Sequence, residues 1–170
     1  MAAGVVLDTS FLISLADPDR PHHVTARQYW RHFTDAGYPI FLPTIVVSEF
    51  CVRQPILPYI LRSCVILPFN WDDALKAAEL DFKKGERTDT PRDALKDDVK
   101  ILAQAAVQDA AWVITDDTKS FFKFARRLAD ESVAGFQPIK LEDGFDLSHF
   151  QPGGQRLLHL LDGEEPEIDI

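Results

Sequence analysis

Four carboxylates stand at the edges of short apolar runs in this chain. Asp8 closes VVLD, Glu49 closes IVVSE, Asp98 opens DVKILAQA and Asp117 ends VITDD. Carboxylate oxygens are hard ligands, the kind that Mg²⁺ prefers while it keeps several of its waters. Two or three acids in a partly buried cleft raise one another's pKa, and a divalent cation relieves that repulsion. Each acid alone is explained by a helix cap or a turn. Four of them, each at an element edge and spread over some hundred residues, point instead to one metal site assembled from distant parts.

The elements that must position them follow from local pattern. Gly4 and the run Val5, Val6, Leu7 fit a buried parallel strand that stops at Asp8, the ligand end of an open α/β sheet. Trp112 to Ile114 repeat that grammar, with Thr115, Asp116 and Asp117 in the loop after the strand. Glu49 falls on a helix starting near Thr44, after Pro43 ends a strand at 40–42. Asp97 and Asp98 are expected in the first turn of a helix whose apolar face is Ile101, Leu102, Ala105 and Ala106, where the macrodipole favours anions. Further helices are expected at about 10–16, 21–36 (ending at Gly37), 55–62, 72–84 and 118–130, with strands at 64–69 and 137–141. On the 72–84 helix, Ala74, Leu75, Ala78 and Phe82 read as the apolar face. Strands alternating with helices in this way indicate an α/β fold.

Around the acids stand several auxiliary groups. Ser10 is expected to cap the helix beginning at Phe11, while Thr9 or Ser10 can also bond a ligand carboxylate. The Thr115 hydroxyl is placed to fix Asp117, and Asp97 and Asp116 divide evenly between supporting the site and facing solvent. Lys119, Lys123 and Arg126 fall at i, i+4 and i+7 with Arg127 beside them. That stripe is either a backbone-binding face for RNA or an ordinary solvated face opposite Phe122 and Ala125. His22 and His23 are adjacent rather than four apart, and HExxH, CxxC, Walker, GxGxxG and G-x-S-x-G patterns are all missing, so zinc, nucleotide-loop and serine-nucleophile readings lack support. Asp-Thr-Ser also lacks the second aspartate that a haloacid-dehalogenase-like phosphotransferase would place two positions on.

Strand-Asp8-Thr9-Ser10, helical Ser48-Glu49, Asp98-x-x-Ile-x-Ala-x-Ala105, and Thr115-x-Asp117 followed by Phe121 resemble, in order and spacing, the motifs of the PIN domain family over roughly residues 4–125. The resemblance implies a Rossmann-like domain with a central parallel sheet of four or five strands flanked by helices. It also implies a Mg²⁺- or Mn²⁺-dependent ribonuclease, often the toxin of a VapBC-type pair held by an antitoxin protein. Asp8, Glu49, Asp98 and Asp117 would be the catalytic set. Asp8, Asp98 and Asp117 would hold the metal, and a retained water would attack the scissile phosphate while Glu49 orients it or completes a second metal position. Two departures concern the residues before the third and fourth acids, commonly Asn and then Arg or Asn in the family, but Asp97 and Asp116 here. The alternative reading is a non-catalytic PIN-like RNA-binding or scaffold module.

Composition is compatible with these expectations. The chain's 170 residues, 46% hydrophobic, suffice for one domain and its core. The expected division is a nuclease-like domain at 1–141 and an acidic extension at 142–170. The net charge of −9 looks hostile to RNA, but residues 142–170 hold eight acids against Arg156, leaving only −2 on the rest; apart from the four site acids, that body is +2. No apolar run approaches the roughly 18 residues of a membrane span, and a cytoplasmic protein is expected. Cys51 and Cys64 read as small core residues. Polar residues 85–94, GERTDTPRDA, are the expected mobile loop and a candidate substrate lid. Tyr29, Trp30 and Phe33 with Phe11 and Leu15 read as core, with a homodimer or partner surface as the second reading.

Overall fold

A computed structural model describes residues 3–84 and 92–151. Five strands, β1 (Val5–Leu7), β2 (Ile40–Pro43), β3 (Cys64–Leu67), β4 (Trp112–Thr115) and β5 (Gln137–Lys140), form one wholly parallel sheet in the order β3-β2-β1-β4-β5. The helices are α1 (Thr9–Ala16), α2 (His23–Ala36), α3 (Thr44–Cys51), α4 (Pro58–Ser63), α5 (Trp71–Lys84), α6 (Arg92–Val107) and α7 (Phe121–Asp130). β1 is buried on both faces, as expected for an apolar run between helical layers. From β1 the chain winds outward through β2 to β3, then α5 and α6 carry it back to β4. The strand order therefore reverses between β1 and β4, which is where ligands bind in folds of this kind.

Gly37 terminates α2 in the left-handed conformation (φ 70°), its amide reaching the carbonyls of Phe33 and Thr34. Phe11, Leu15, Tyr29 and Phe33 are buried in the core, while half-buried Trp30 meets Tyr59 edge to face.

Several local expectations shift. Asp8, not Ser10, is the N-cap of α1; its carboxylate accepts the Ser10 amide, and the helix starts at Thr9. α6 starts at Arg92, so Asp98 lies nearly two turns inside it. The sequence between Pro91 and Asp98 holds no breaker, and Pro is suited to the entrance of a helix rather than its interior. On α5 the apolar face is rotated: Ala74, Leu75 and Ala78 are exposed, Leu75 at 55%, while Asp73 and Leu80 are buried. A reciprocal cap turns Asp73 inward, its Oδ2 accepting the Asn70 amide at 2.8 Å while Asn70 Oδ1 accepts the Asp73 amide at 3.1 Å. The Phe82 side chain lies outside the described residues. Cys51 is exposed, because α3 turns Val46 and Phe50 inward; Cys64 is half-buried, and burial pushes its thiol up to about 12. The expected lid at 85–94 falls, up to residue 91, outside the described residues; from Arg92 the chain is helix.

Past β5 the chain stays against the body as far as Gln151. The Phe150 ring packs within 4.5 Å of the His32 ring and 5.0 Å of Trp112, centre to centre. Tyr29 Oη donates to the Gly144 carbonyl at 3.0 Å and Trp112 Nε1 to that of His149 at 3.1 Å. Residues 152–170, the greater part of the acidic extension, lie outside the described residues.

Candidate active site

The pairing of Leu7 with Ile114 places Asp8, one residue on, opposite Thr115. Asp8 is buried, and its Oδ2 accepts from Ser10 Oγ at 2.6 Å, Thr115 Oγ1 at 2.8 Å and the Ser10 amide at 3.3 Å. Burial pushes its carboxyl above the ordinary value, against the pull of the Ser10 and Thr115 hydroxyls. Thr115 also accepts the Asp117 amide at 2.9 Å, so one strand-end hydroxyl joins the two acids.

Asp117 is held by the turn into α7. Its Oδ1 accepts the amides of Lys119 (2.8 Å) and Ser120 (3.0 Å), and its Oδ2 the Ser120 hydroxyl (2.5 Å). Partial burial raises its carboxyl, but the Ser120 hydroxyl and the backbone amides of Ser120, Lys119 and Phe121 together outweigh that and leave it below the ordinary value. Asp117 is therefore shifted in the opposite direction to Asp8, Asp98 and Glu49. From α6, Asp98 is raised to about 7, chiefly by burial and then by the charges of Asp8 and Asp117, with the Ser120 hydroxyl opposing. From α3, Glu49 accepts from Thr9 Oγ1, an anchor from the first residue of α1; burial, then the charges of Asp8 and Asp97, raise its carboxyl. Asp98 thus feels the charges of Asp8, Asp117 and Glu49, and Glu49 that of Asp8, although the four come from β1, α3, α6 and the loop after β4.

The supporting residues separate. Thr9, Ser10 and Thr115 all bond site carboxylates. Asp97 ion-pairs with Lys100 at 2.9 Å on the rim, its charge reaching Glu49. Asp116 turns away from the acids toward the α1–α2 connection, where Ser14 Oγ (2.5 Å) and His22 Nδ1 (2.6 Å) meet its carboxylate. Ser48 bonds the Ile45 carbonyl of its own helix. In the basic stripe, Lys119 precedes α7 rather than riding on it. Arg126 pairs with Asp130 at 3.0 Å, and Arg127 with Glu131 at 4.0 Å. Phe122 is half-buried under the Lys140 ammonium, and the core residues of α7 are Phe121, Phe124, Ala125 and Leu128. Lys119 and Lys123 are exposed, with no ion pair among the described residues.

Sequence reasoning missed Ser120, whose only signal is its place three residues after Asp117 in an Asx-type turn. It also missed Ser14 and Arg20, for which no local spacing gives a signal.

The acids fit a hard cation. Asp98 Oδ2 is buried without a hydrogen-bond partner, an arrangement that costs free energy unless a proton or a cation supplies what the protein withholds. Among the described residues no group of three or more His, Cys, Asp or Glu is already drawn together around an ion position. Mg²⁺ keeps several waters and needs only one or two carboxylates, so this does not exclude it.

The PIN domain family model matches residues 5–127, from β1 through most of α7. The chain belongs to the PIN domain family. Among curated protein sequences no match is found. Solved structures similar to this PIN domain include the Mycobacterium tuberculosis toxin VapC20, described as cleaving the sarcin–ricin loop, at 18% identity and TM-score 0.54, covering 81% of this chain and 99% of that one. FitAcB from Neisseria gonorrhoeae is similar at 19% identity and TM-score 0.55, over 81% and 98% of the two chains. VapBC2 from Rickettsia felis, bound to a fragment of its promoter DNA, is similar at 14% identity and TM-score 0.55, over 80% and 97%. At these identities the likeness establishes the shared fold, a parallel sheet between helices. Among the described residues of this PIN domain no helix is long and apolar enough to cross a membrane.

Proposed function

We propose that this PIN domain is a divalent-metal-dependent endoribonuclease, acting in the cytoplasm as the toxin of a toxin–antitoxin pair. The observation that carries the reading is the unpartnered, buried Asp98 Oδ2 among three other acids at the strand-order switch. Asp8 and Asp98 would hold Mg²⁺ or Mn²⁺, with Asp117, whose charge acts on Asp98, as the third carboxylate of the set. The chemistry a divalent ion supplies when bound there is Lewis acidity, which activates water and offsets charge building on the phosphate. Glu49, raised by burial and anchored by Thr9, would orient the attacking water and accept its proton. Ser10, Thr115 and Ser120 fix the carboxylates so that little reorganisation accompanies the reaction. The likeness to VapBC2, together with the VapBC-type pairing that the family motifs imply, supports an antitoxin protein as partner.

The test is cleavage of a fluorescent single-stranded RNA by purified full-length protein with Mg²⁺, with Mn²⁺ and with a chelator. Cleavage is expected only with metal. Asp8→Asn and Asp98→Asn should each reduce it by at least 100-fold, on the scale of losing a ligand that tunes a catalytic metal, with the fold retained. Full activity in Asp8→Asn, or cleavage indifferent to chelation, would overturn the assignment, and metal-independent RNA binding with no turnover would identify a non-catalytic module.

A further inference from the structure

Beside the acidic centre stands a second polar cluster that the proposed chemistry does not use. Asp116 is the residue before Asp117, yet its side chain is only 6% exposed and points to the turn joining α1 to α2. Three groups converge on it: Ser14 Oγ on Oδ2 at 2.5 Å, His22 Nδ1 on Oδ1 at 2.6 Å, and Arg20 Nη2 at 3.9 Å from Oδ2. The connection that carries Arg20 and His22 is itself braced. The Asp19 amide bonds Asp17 Oδ1 at 2.9 Å, the Arg20 amide the Asp17 carbonyl at 3.2 Å, and the His23 amide the Arg20 carbonyl at 3.1 Å. One hydroxyl joins this cluster to the site: Ser10 Oγ donates to Asp8 Oδ2 at 2.6 Å and accepts the Asp116 amide at 2.8 Å.

We propose that Arg20 and His22, gathered by buried Asp116, form a phosphate-binding flank that holds the nucleic-acid backbone beside the acidic centre. The inference rests on the reading of that centre as a nuclease. A polyanion approaching four acids needs cations nearby, and the body's charge outside the site is only slightly positive. Asp116 orients the two side chains without consuming them. Its Oδ2 is already satisfied by Ser14, and at 3.9 Å Arg20 lies beyond hydrogen-bond length, leaving its guanidinium donors for a second acceptor. The Arg20 side chain is 45% exposed and that of His22 33%, against 6% for the Asp116 side chain they meet. A planar guanidinium is the side chain best matched to two phosphate oxygens. Lys119, exposed just after Asp117, lies at the other end of the same loop. The backbone would therefore run across the site, between Lys119 and the α1–α2 turn.

The competing role for the cluster is purely mechanical, pinning the α1–α2 turn onto the end of β4. Salt dependence separates the two roles, because a clamp releases no counterions from the ligand. The experiment measures fluorescence anisotropy of a labelled single-stranded RNA 12-mer on full-length protein carrying Asp98→Asn, which prevents cleavage, across a series of KCl concentrations. Arg20→Ala is expected to weaken binding about 5- to 10-fold at low salt and to flatten the slope of log K against log salt by about 0.7, the value for one phosphate contact on a single strand. Arg20→Lys should restore the slope. Arg62→Ala, on α4 beside the edge strand β3, should leave it unchanged. Single-stranded DNA of the same sequence should show the same loss, since a guanidinium–phosphate contact does not read the 2′-hydroxyl. An unchanged slope in Arg20→Ala, whether or not its melting temperature falls, overturns the flank and leaves a clamp. Failure of every protein to bind RNA would instead remove the substrate reading itself, and the flank with it.

Discussion

Within this site the two Asp-Asp pairs each divide their labour. Asp98 is half-buried, with one oxygen unpartnered, whereas Asp97 spends its charge on Lys100 at the rim. Asp97→Asn should therefore lower RNA cleavage only a few-fold where Asp98→Asn abolishes it, as kcat measured side by side would show. The pKa shifts carry a stability prediction whose sign differs among the acids. Asp98 goes from 3.8 to about 7 on folding, so the folded state holds its proton more tightly than the unfolded chain does. Its contribution to stability is complete below about pH 4 and is lost as pH rises through 7. Asp8 and Glu49 are raised and act in the same sense, while Asp117 is lowered and contributes stability that is lost only in acid, below 3.8. Chemical denaturation of the metal-free protein should show stability falling between pH 4 and 7. Asp98→Asn should flatten that fall, and millimolar Mn²⁺ should reverse it at pH 7 by binding the folded state alone. A metal-free protein equally stable at pH 4 and 7 would contradict the shift.

Among the elements, α7 tests how far helical spacing predicts a binding face. Lys123 is exposed and lacks an ion pair among the described residues, whereas Arg126 is engaged four residues on by Asp130. Lys123→Glu should weaken RNA binding and reduce its salt dependence, while Arg126→Glu should change the slope less; equal effects from the two would restore the simple stripe. The segment after β5 belongs energetically to the sheet body, because Phe150 packs against His32, Phe33, Tyr38 and Trp112. Phe150→Ala should cost about 1–3 kcal/mol, less than a fully buried Phe because the ring is partly exposed. Urea unfolding monitored by tryptophan fluorescence reads this directly through Trp112, and a loss below about 0.5 kcal/mol would mean that the segment is peripheral.

For the whole molecule the decisive quantity is where charge sits. Residues 152–170 carry a net −4, and deleting them should increase RNA affinity, most visibly at low salt where the Debye length is on the order of 30 Å. Equal affinity of the truncated and full-length proteins, both folded, would leave the tail a solubilising or partner-binding role. What the sequence alone determines is local in origin. Buried parallel strands announce themselves as short apolar runs, Pro43 and Gly37 punctuate their neighbours, and the acids at run ends mark the ligand edge of such a sheet. From these alone came the parallel α/β fold and the order of Asp8, Glu49, Asp98 and Asp117 along the chain. Their direction was decided elsewhere. Asp116 and Asp117 are neighbours in one loop, yet one is captured by Ser14 and His22 from about a hundred residues away and the other by the turn that follows it. The same holds for the inward rotation of Asp73, the unpartnered oxygen of Asp98 and the gathering of Arg20 beside the site. Periodicity and spacing encode which face an element buries, but the aim of a carboxylate depends on which donors the packed chain brings within 3 Å, and those donors are set by contacts across the sheet that sequence separation does not record.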